Sequence, residues 1–125
     1  MPSWLITGAS RGIGLSIVSD LVRPRHHFTC PFPRLICYCQ LKEEDNFVIA
    51  TARDLSAKSL QELASKYSKT RLALVELNVT DVASIKKAAE EVATLLPNGL
   101  DYLINNAGIM PQPMTSFEDL CVPIY

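Results

Sequence analysis

The chain has 125 residues, a length typical of one domain, and its 48% hydrophobic and 20% charged residues are ordinary for a globular protein. Its net charge of −1 excludes the broad basic surface that binds nucleic acids or membranes, and no apolar run reaches the roughly 20 residues of a membrane span. No basic segment precedes the first apolar run, and the cysteines form no disulfide-like pattern, so we expect a cytoplasmic protein.

The chain opens with a short apolar run, a glycine-rich segment and an amphipathic run. Residues 3–8, SWLITG, predict a buried strand. A helix is predicted after the glycines, and its apolar face is formed by Ile13, Ile17, Val18 and Leu21. This order predicts a strand, a tight turn and a helix.

A second strand and helix follow. FVIAT at 47–51 predicts the strand, and SAKSLQELASKY at 56–67 predicts a helix with Ser56 as its N-cap. The apolar face of this helix consists of Leu60, Leu63, Ala64 and Tyr67. Strand and helix therefore alternate a second time.

The third repeat of this pattern is the longest. LALVEL at 72–77 predicts a strand, a helix follows from about Asp81 to Leu96, and PNG at 97–99 ends that helix. The helix carries an apolar stripe formed by Val82, Ile85, Ala89, Val92 and Leu96. LDYLIN at 100–105 predicts a fourth strand. Four strands alternating with three helices predict an α/β fold, a Rossmann-type parallel sheet in the order 3-2-1-4 that breaks off after its fourth strand.

The segment TGASRGIG, residues 7–14, lies where the first strand becomes a helix. A phosphate needs backbone N–H groups that point at it, and a helix N-terminus supplies them together with the positive end of the helix dipole. Gly8 suits the turn out of the strand, Gly12 the close approach of a ligand, and Gly14 the packing of helix on sheet. The alternative is a glycine-rich turn without a ligand. No G-x-x-x-x-G-K-[ST] segment is present, which disfavours a P-loop nucleotidase.

The end of the second strand, ATARD, carries the charge that would select the cofactor. An acidic residue here favours NAD, whereas an arginine accommodates the 2′-phosphate of NADP. Arg53 occupies this place, and Arg11 in the glycine turn adds a second positive charge. We therefore expect NADP(H) rather than NAD(H). The alternative is a solvated Arg53 that Asp54 neutralises.

NNAG at 105–108 follows the fourth strand. Two asparagines where a strand becomes a loop can bond backbone groups that neither helix nor sheet satisfies, although a plain Asx turn looks the same in sequence. With this segment, TGASRGIG, ATARD, LNVTD and NNAG in chain order resemble the short-chain dehydrogenase/reductase family. Similarity is greatest to its carbonyl-reductase-like and C-factor-like members, over residues 3–22 and 41 to about 120.

The resemblance implies a set of cofactor-binding residues. The pyrophosphate turn would be formed by Gly8, Ser10, Arg11, Gly12, Ile13 and Gly14. Arg53 would lie at the adenosine 2′ position, with Asn78 and Val79 flanking the adenine. The cofactor cleft would be lined by Asn105, Asn106, Ala107 and Gly108.

The resemblance also implies the activity, hydride transfer between NADP(H) and a small carbonyl or secondary alcohol. In this family a tyrosine moves the proton, assisted by a lysine four residues later and by a serine, and all three follow the NNAG segment. Here 17 residues follow Gly108, and the one Tyr-x-x-x-Lys spacing, Tyr38 with Lys42, falls in an irregular stretch. We therefore predict no catalytic residue and expect the chain alone to be inactive. The alternative function is a non-catalytic dinucleotide-binding or interaction fragment.

Two regions break the alternating pattern. Residues 22–40 form an irregular insertion, and residues 109–125 form an irregular tail. Removing residues 22–40 restores the usual spacing of about 20 residues between the glycine turn and Arg53. Valine codons begin with GT and one glutamine codon ends with AG, so we interpret residues 22–40 as a retained intron that is translated in frame. The alternatives are a surface loop and a metal site, formed by His26, His27, Cys30, Cys37 and Cys39, whose spacing matches no zinc pattern. We predict no metal site.

Overall fold

The computed structural model describes residues 1–23 and 46–108. The predicted insertion at 22–40 begins inside this part with Val22, a buried core residue of the first helix. The remainder of the insertion and the predicted tail at 109–125 lie outside the described residues.

The described residues form a parallel sheet of four strands with three helices. The strands are β1 (Ser3–Ile6), β2 (Phe47–Ala52), β3 (Leu72–Glu76) and β4 (Tyr102–Ile104), and the helices are α1 (Gly12–Val22), α2 (Lys58–Lys66) and α3 (Val82–Leu95). The strand order is β3-β2-β1-β4, with every neighbouring pair parallel. The predicted α/β fold and strand order are confirmed.

The sheet has an apolar core on each face, because its helices cover both. On one face Ile6, Val48 and Ala50 of the sheet pack with Val18 of α1 and Leu60 of α2. On the other face a smaller cluster, formed by Leu5, Ile49, Val75 and Ala88, joins the sheet to α3. The central strands are therefore apolar on both sides, as expected for a parallel sheet.

The apolar stripe predicted for α3 is mostly not buried. Val82 is 67% exposed and Ile85 43%, and Ala89 is also exposed. Ala88 is buried instead, while Val92 and Leu96 are half-buried. The reason is that α3 packs mainly against β3, while open space separates its other flank from Leu103 of β4. Periodicity shows that a face is apolar, but not which element covers it.

The predicted start of α2 is wrong by two residues. The helix begins at Lys58, and Ala57, not Ser56, occupies the N-cap position. The backbone N–H of Ser56 donates instead to Oδ1 of Asp54, at 2.8 Å, in a local turn. Aspartate readily forms such turns, and this one delays the helix.

The buried face of α1 differs from the predicted apolar face in the first turn of the helix. Ile13 is 72% exposed, whereas Gly14 and Val22 are buried together with Val18. Ile17 and Leu21 are half-buried and pack against the core, as the periodicity predicts. Ile13 lies at the open carboxyl edge of the sheet, where no described element covers it.

Candidate cofactor site

The glycine turn lies at the carboxyl edge of the sheet, between β1 and α1. The backbone N–H of Ala9 donates to the carbonyl of Thr51 in β2, at 2.9 Å, and holds the turn against the neighbouring strand. Gly8 and Gly12 have φ of +69° and +57°, the left-handed region that favours glycine. The turn is therefore held close to the end of β2, where Arg53 follows.

The N-terminus of α1 is open to an anion. Arg11 occupies its N-cap position without a capping hydrogen bond from its side chain, and the first turn contains no acidic residue. At α3, by contrast, the Asp81 carboxylate accepts hydrogen bonds from Ala83 and Ser84. A Cβ added at Gly12 would meet no described atom within 4 Å. Backbone N–H groups, the helix dipole and free space are thus available to a phosphate at α1.

The turn is bonded to the NNAG segment through Thr7. The Thr7 hydroxyl accepts hydrogen bonds from the backbone N–H groups of Asn106 and Ala107, both at 2.9 Å. It also donates to the carbonyl of Ile104, at 3.4 Å. Thr7 is 4% exposed, so these bonds are shielded from water. One buried hydroxyl therefore joins the ends of β1 and β4.

The side chain of Asn106 completes this junction. Its Nδ2 donates to the carbonyls of Thr7, at 3.0 Å, and Gly8, at 3.2 Å. These bonds span about one hundred residues of sequence and replace the local Asx turn that was the alternative. Asn105, in contrast, is exposed and makes no hydrogen bond within the described part of the chain. The two asparagines therefore have different roles.

Two glycines are required by contact rather than by a ligand. A Cβ on Gly14 would collide with the carbonyl oxygen of Gly8 and would lie 2.5 Å from Nδ2 of Asn106. A Cβ on Gly8 would lie 2.9 Å from Cα of Ala107. The glycine turn and NNAG thus pack too closely for side chains at either position.

Arg53 and Arg11 are both exposed. Within residues 1–23 and 46–108, neither has an ion-pair partner. Asp54, the partner that the alternative assigns to Arg53, accepts from Ser56 instead. Hydrogen bonds from the Ser56 side chain and backbone lower the pKa of this carboxyl. The positive charge beside the turn is therefore available to an anionic ligand.

The segment after β3 carries Asn78 and Val79. Oδ1 of Asn78 accepts from the backbone N–H of Thr80, at 3.2 Å, and from its hydroxyl, at 2.8 Å. The Asn78 backbone N–H donates to Oγ of Ser84 in α3, at 2.9 Å. Val79 is 42% exposed. This segment is therefore ordered by its own polar groups, with an apolar side chain left in contact with solvent.

The comparisons with known proteins agree with this architecture. A family model described as "Enoyl-(Acyl carrier protein) reductase" matches residues 37–121. A short-chain dehydrogenase/reductase of Aspergillus aculeatus, AacuF, is 33% identical over 120 residues, which cover 96% of this chain and 37% of that protein. The chain belongs to the short-chain dehydrogenase/reductase family.

Solved carbonyl reductases of the family are similar in structure. The NADPH-bound carbonyl reductase from chicken fatty liver has a TM-score of 0.65 and 38% identity, over 95% of this chain and 40% of the chicken protein. The carbonyl reductase Sniffer of D. melanogaster has a TM-score of 0.64 and 29% identity, over 90% and 38%. This chain therefore spans about two fifths of the length of these family members.

The junction contains residues that the sequence analysis missed. The sequence patterns give no bonding role to Thr7, which ends the first strand and opens the glycine-rich segment, or to Thr51. The Thr51 hydroxyl donates to the carbonyl of Ile6 at 3.1 Å. The signal was present in each case: a polar residue at the end of an otherwise apolar strand, beside a glycine turn or a charged loop. Such a hydroxyl must find a partner when it is buried.

No helix in residues 1–23 or 46–108 is long and apolar enough to cross a membrane. Over the same residues, no three histidine, cysteine, aspartate or glutamate side chains are grouped to hold a metal ion. The histidines and cysteines of the alternative metal site lie outside the described part, as does the Tyr38–Lys42 pair.

Proposed function

We propose that the chain is the cofactor-binding part of an NADP(H)-dependent oxidoreductase, which transfers hydride between the cofactor and a small carbonyl compound or secondary alcohol. One observation carries this proposal. The uncapped N-terminus of α1, open space at Gly12 and two exposed arginines adjoin one turn, which Thr7 and Asn106 join to the end of β4 by hydrogen bonds.

The phosphates of the cofactor bind at the glycine turn in this proposal. The backbone of the segment from Gly8 to Gly14, with Ser10 and Ile13, surrounds the pyrophosphate, because the first N–H groups of α1 have no other acceptor on a capping side chain. Arg53 binds the adenosine 2′-phosphate, and Arg11 adds positive charge from the turn. These charges favour NADP(H) over NAD(H).

The rest of the cofactor lies across the sheet edge. Asn78 and Val79 flank the adenine, Val79 through its exposed apolar side chain and Asn78 through its amide. The amide oxygen of Asn78 is already bonded to Thr80, so its Nδ2 is the group that faces a ligand. The residues from Asn105 to Gly108 line the cleft beside the turn, and Asn106 positions it.

When bound, the cofactor would donate or accept the hydride, and the residues of the glycine turn and of the 105–108 segment would hold and orient the cofactor. The family's proton-transferring tyrosine, with its lysine and serine, has no counterpart that we can assign in this sequence. We infer that the chain alone binds the cofactor without reducing a carbonyl. This makes non-catalytic dinucleotide binding the second candidate function, and the chicken enzyme's NADPH supports the choice of cofactor for both.

Cofactor binding by the full chain tests the proposal. We expect NADPH to bind more tightly than NADH in a fluorescence titration, and no NADPH oxidation with a panel of reactive carbonyls. Gly12→Asp should abolish binding, because it places a carboxylate at the phosphate position without a steric clash. Gly99→Asp is the matched control, since Gly99 also has a positive φ, of +98°, and open space around it.

Absence of NADPH binding would refute the proposed site, and equal loss in both glycine variants would refute the role of the turn. Carbonyl reduction by the chain would show that a proton donor is present after all.

A further inference from the structure

The asparagines of the chain lie in very different surroundings. Hydrogen bonds hold the side-chain amides of three of them, Asn46, Asn78 and Asn106. The other two, Asn98 and Asn105, are exposed, and their side chains make no hydrogen bond to any residue of the 1–23 and 46–108 segments. Two amides are therefore accessible to water and free to change conformation.

Only one of the five asparagines, Asn98, precedes a glycine. Asn98 lies in the turn after α3, and Gly99 beside it is also exposed. Gly99 has a φ of +98°, and a Cβ added to it would meet no described atom within 4 Å. Because glycine has no side chain and moves easily between backbone conformations, its nitrogen can approach the side-chain carbonyl carbon of Asn98.

The same approach is hindered at Asn105. The residue that follows it is Asn106, which carries a side chain. The backbone N–H of Asn106 donates to the buried hydroxyl of Thr7, at 2.9 Å, and to the carbonyl of Ile104, at 3.1 Å. A free amide and an unhindered following nitrogen therefore coincide only at Asn98.

We propose that Asn98 is a site of spontaneous deamidation, a modification whose only co-reactant is water. The backbone nitrogen of Gly99 attacks Cγ of Asn98, and the new N–Cγ bond closes a five-membered succinimide ring. The Cγ–Nδ2 bond breaks, and the amide nitrogen leaves as ammonia together with the proton of the Gly99 N–H. Water then opens the ring at one of its two carbonyl carbons. One opening gives aspartate, and the other gives isoaspartate, in which the backbone passes through the former side chain.

The fold slows this reaction without preventing it. The backbone N–H of Gly99 donates to the carbonyl of Leu96, at 3.0 Å, and this bond must open before the nitrogen can attack. Bonds in exposed turns open far more often than the whole domain unfolds. We therefore expect Asn98 to react in the folded chain, but more slowly than in a free peptide of the same sequence.

The product places a negative charge at the carboxyl end of α3. Either carboxylate is ionised at neutral pH. The last turn of α3 contains no basic residue, and the negative end of the helix dipole repels an anion. Isoaspartate also lengthens the backbone by one atom, three residues before Asp101, which binds Ser3 at the start of β1. The modified chain should therefore have a lower melting temperature, by a few degrees.

Mass spectrometry of the full chain tests the proposal after prolonged incubation in mildly alkaline buffer. Chymotrypsin cleaves after Tyr102 and so separates Asn98 from Asn105. We expect the peptide with Asn98 to become heavier by one mass unit and to split into two chromatographic forms, aspartyl and isoaspartyl. The peptide with Asn105 should keep its mass.

Asn98→Gln is the matched control. It keeps a neutral amide at the same exposed position, but its longer side chain would have to close a less favourable six-membered ring. This variant should keep both its mass and its melting temperature through the incubation, whereas wild type loses a few degrees. Asn98→Asp, measured without incubation, gives the part of that loss that the charge alone causes.

Three results would overturn the proposal. The first is an unchanged mass at Asn98 while the synthetic peptide LPNGLDY, residues 96–102, reacts in the same buffer. The second is conversion of Asn105 as fast as that of Asn98, because the following glycine would then not select the site. The third is an equal fall of the melting temperature in wild type and Asn98→Gln, which would separate the loss of stability from this residue.

Discussion

At the scale of single residues, the candidate site depends on a few polar groups that join distant parts of the chain. Thr7 accepts hydrogen bonds from residues 106 and 107, and Asn106 returns two bonds to the turn. Sequence identifies the asparagines as polar groups at a strand end. Only the tertiary structure shows that Asn106 is half-buried and bonded to the turn, whereas Asn105 is exposed.

Replacing Asn106 tests this junction. Asn106→Ala leaves the partly buried carbonyls of Thr7 and Gly8 without their side-chain donor, so we expect a loss of about 1–2 kcal/mol in the free energy of unfolding. Asn105→Ala, at an exposed position, should change it by less than about 0.5 kcal/mol. Urea unfolding measures both, and comparable losses would contradict the distinct role of Asn106.

Replacing Arg53 tests cofactor selection. Arg53→Asp removes the positive charge proposed for the 2′-phosphate and introduces repulsion, so NADPH should bind at least about tenfold more weakly while NADH binding holds or improves. Lys69→Asp makes the same charge change on an exposed turn distant from the glycine turn. Fluorescence titration gives the ratio of the two affinities, and an unchanged ratio would remove Arg53 from the site.

At the scale of secondary structure, helix ends follow local hydrogen bonds more closely than apolar periodicity. The predicted end residues of α3 were accurate to one residue, because Asp81 caps its N-terminus and PNG follows its C-terminus. The start of α2 was wrong, because the Asp54 turn precedes it. Both outcomes depend on which side chain accepts hydrogen bonds from the free backbone N–H groups near the helix start.

Two alanine variants compare the capped N-terminus of α3 with the N-terminus of α2, which has no side-chain cap. Asp81→Ala should cost about 1 kcal/mol of stability, since it removes hydrogen bonds to the N–H groups of Ala83 and Ser84. Ser56→Ala should be nearly neutral, because Ser56 does not cap α2. Thermal melting measures the stability of both variants. A larger drop in melting temperature for Ser56→Ala than for Asp81→Ala would indicate that Ser56 caps α2, as the sequence predicts.

At the scale of the whole molecule, β1 and β4 are held together at both ends, although about one hundred residues separate them. Thr7 joins their carboxyl ends, and Asp101 joins their amino ends by accepting from the backbone N–H and hydroxyl of Ser3, at 2.8 and 2.6 Å. The stacked rings of Trp4 and Tyr102, 4.1 Å apart, reinforce the same pair of strands. The short strand β4 is thus joined to β1 by side-chain contacts as well as by its backbone ladder.

Acid should weaken the hydrogen bonds between Asp101 and Ser3 that join the amino ends of β1 and β4. Hydrogen bonds from Ser3 lower the pKa of Asp101, so the folded state holds this carboxyl in its charged form more strongly than the unfolded state does. The resulting stability is complete above the unfolded pKa of about 3.9 and is lost as the pH falls through the lower, folded pKa. Asp101→Asn should therefore lower the melting temperature at pH 7, with a smaller difference from wild type near pH 3. A difference that stays constant with pH would contradict this role of Asp101.

The sequence by itself determined the order of strands and helices, the parallel sheet and the place of the glycine turn. Those features follow from local periodicity and glycine spacing, which are properties of the sequence, and from the general right-handedness of crossovers. The tertiary structure alone decided that Asn106 bonds to the glycine turn, that Gly14 has no room for a side chain, and that much of the apolar stripe of α3 is exposed. Each of these depends on contacts between segments that are far apart in sequence. The pattern within one segment does not specify which other segment packs against it.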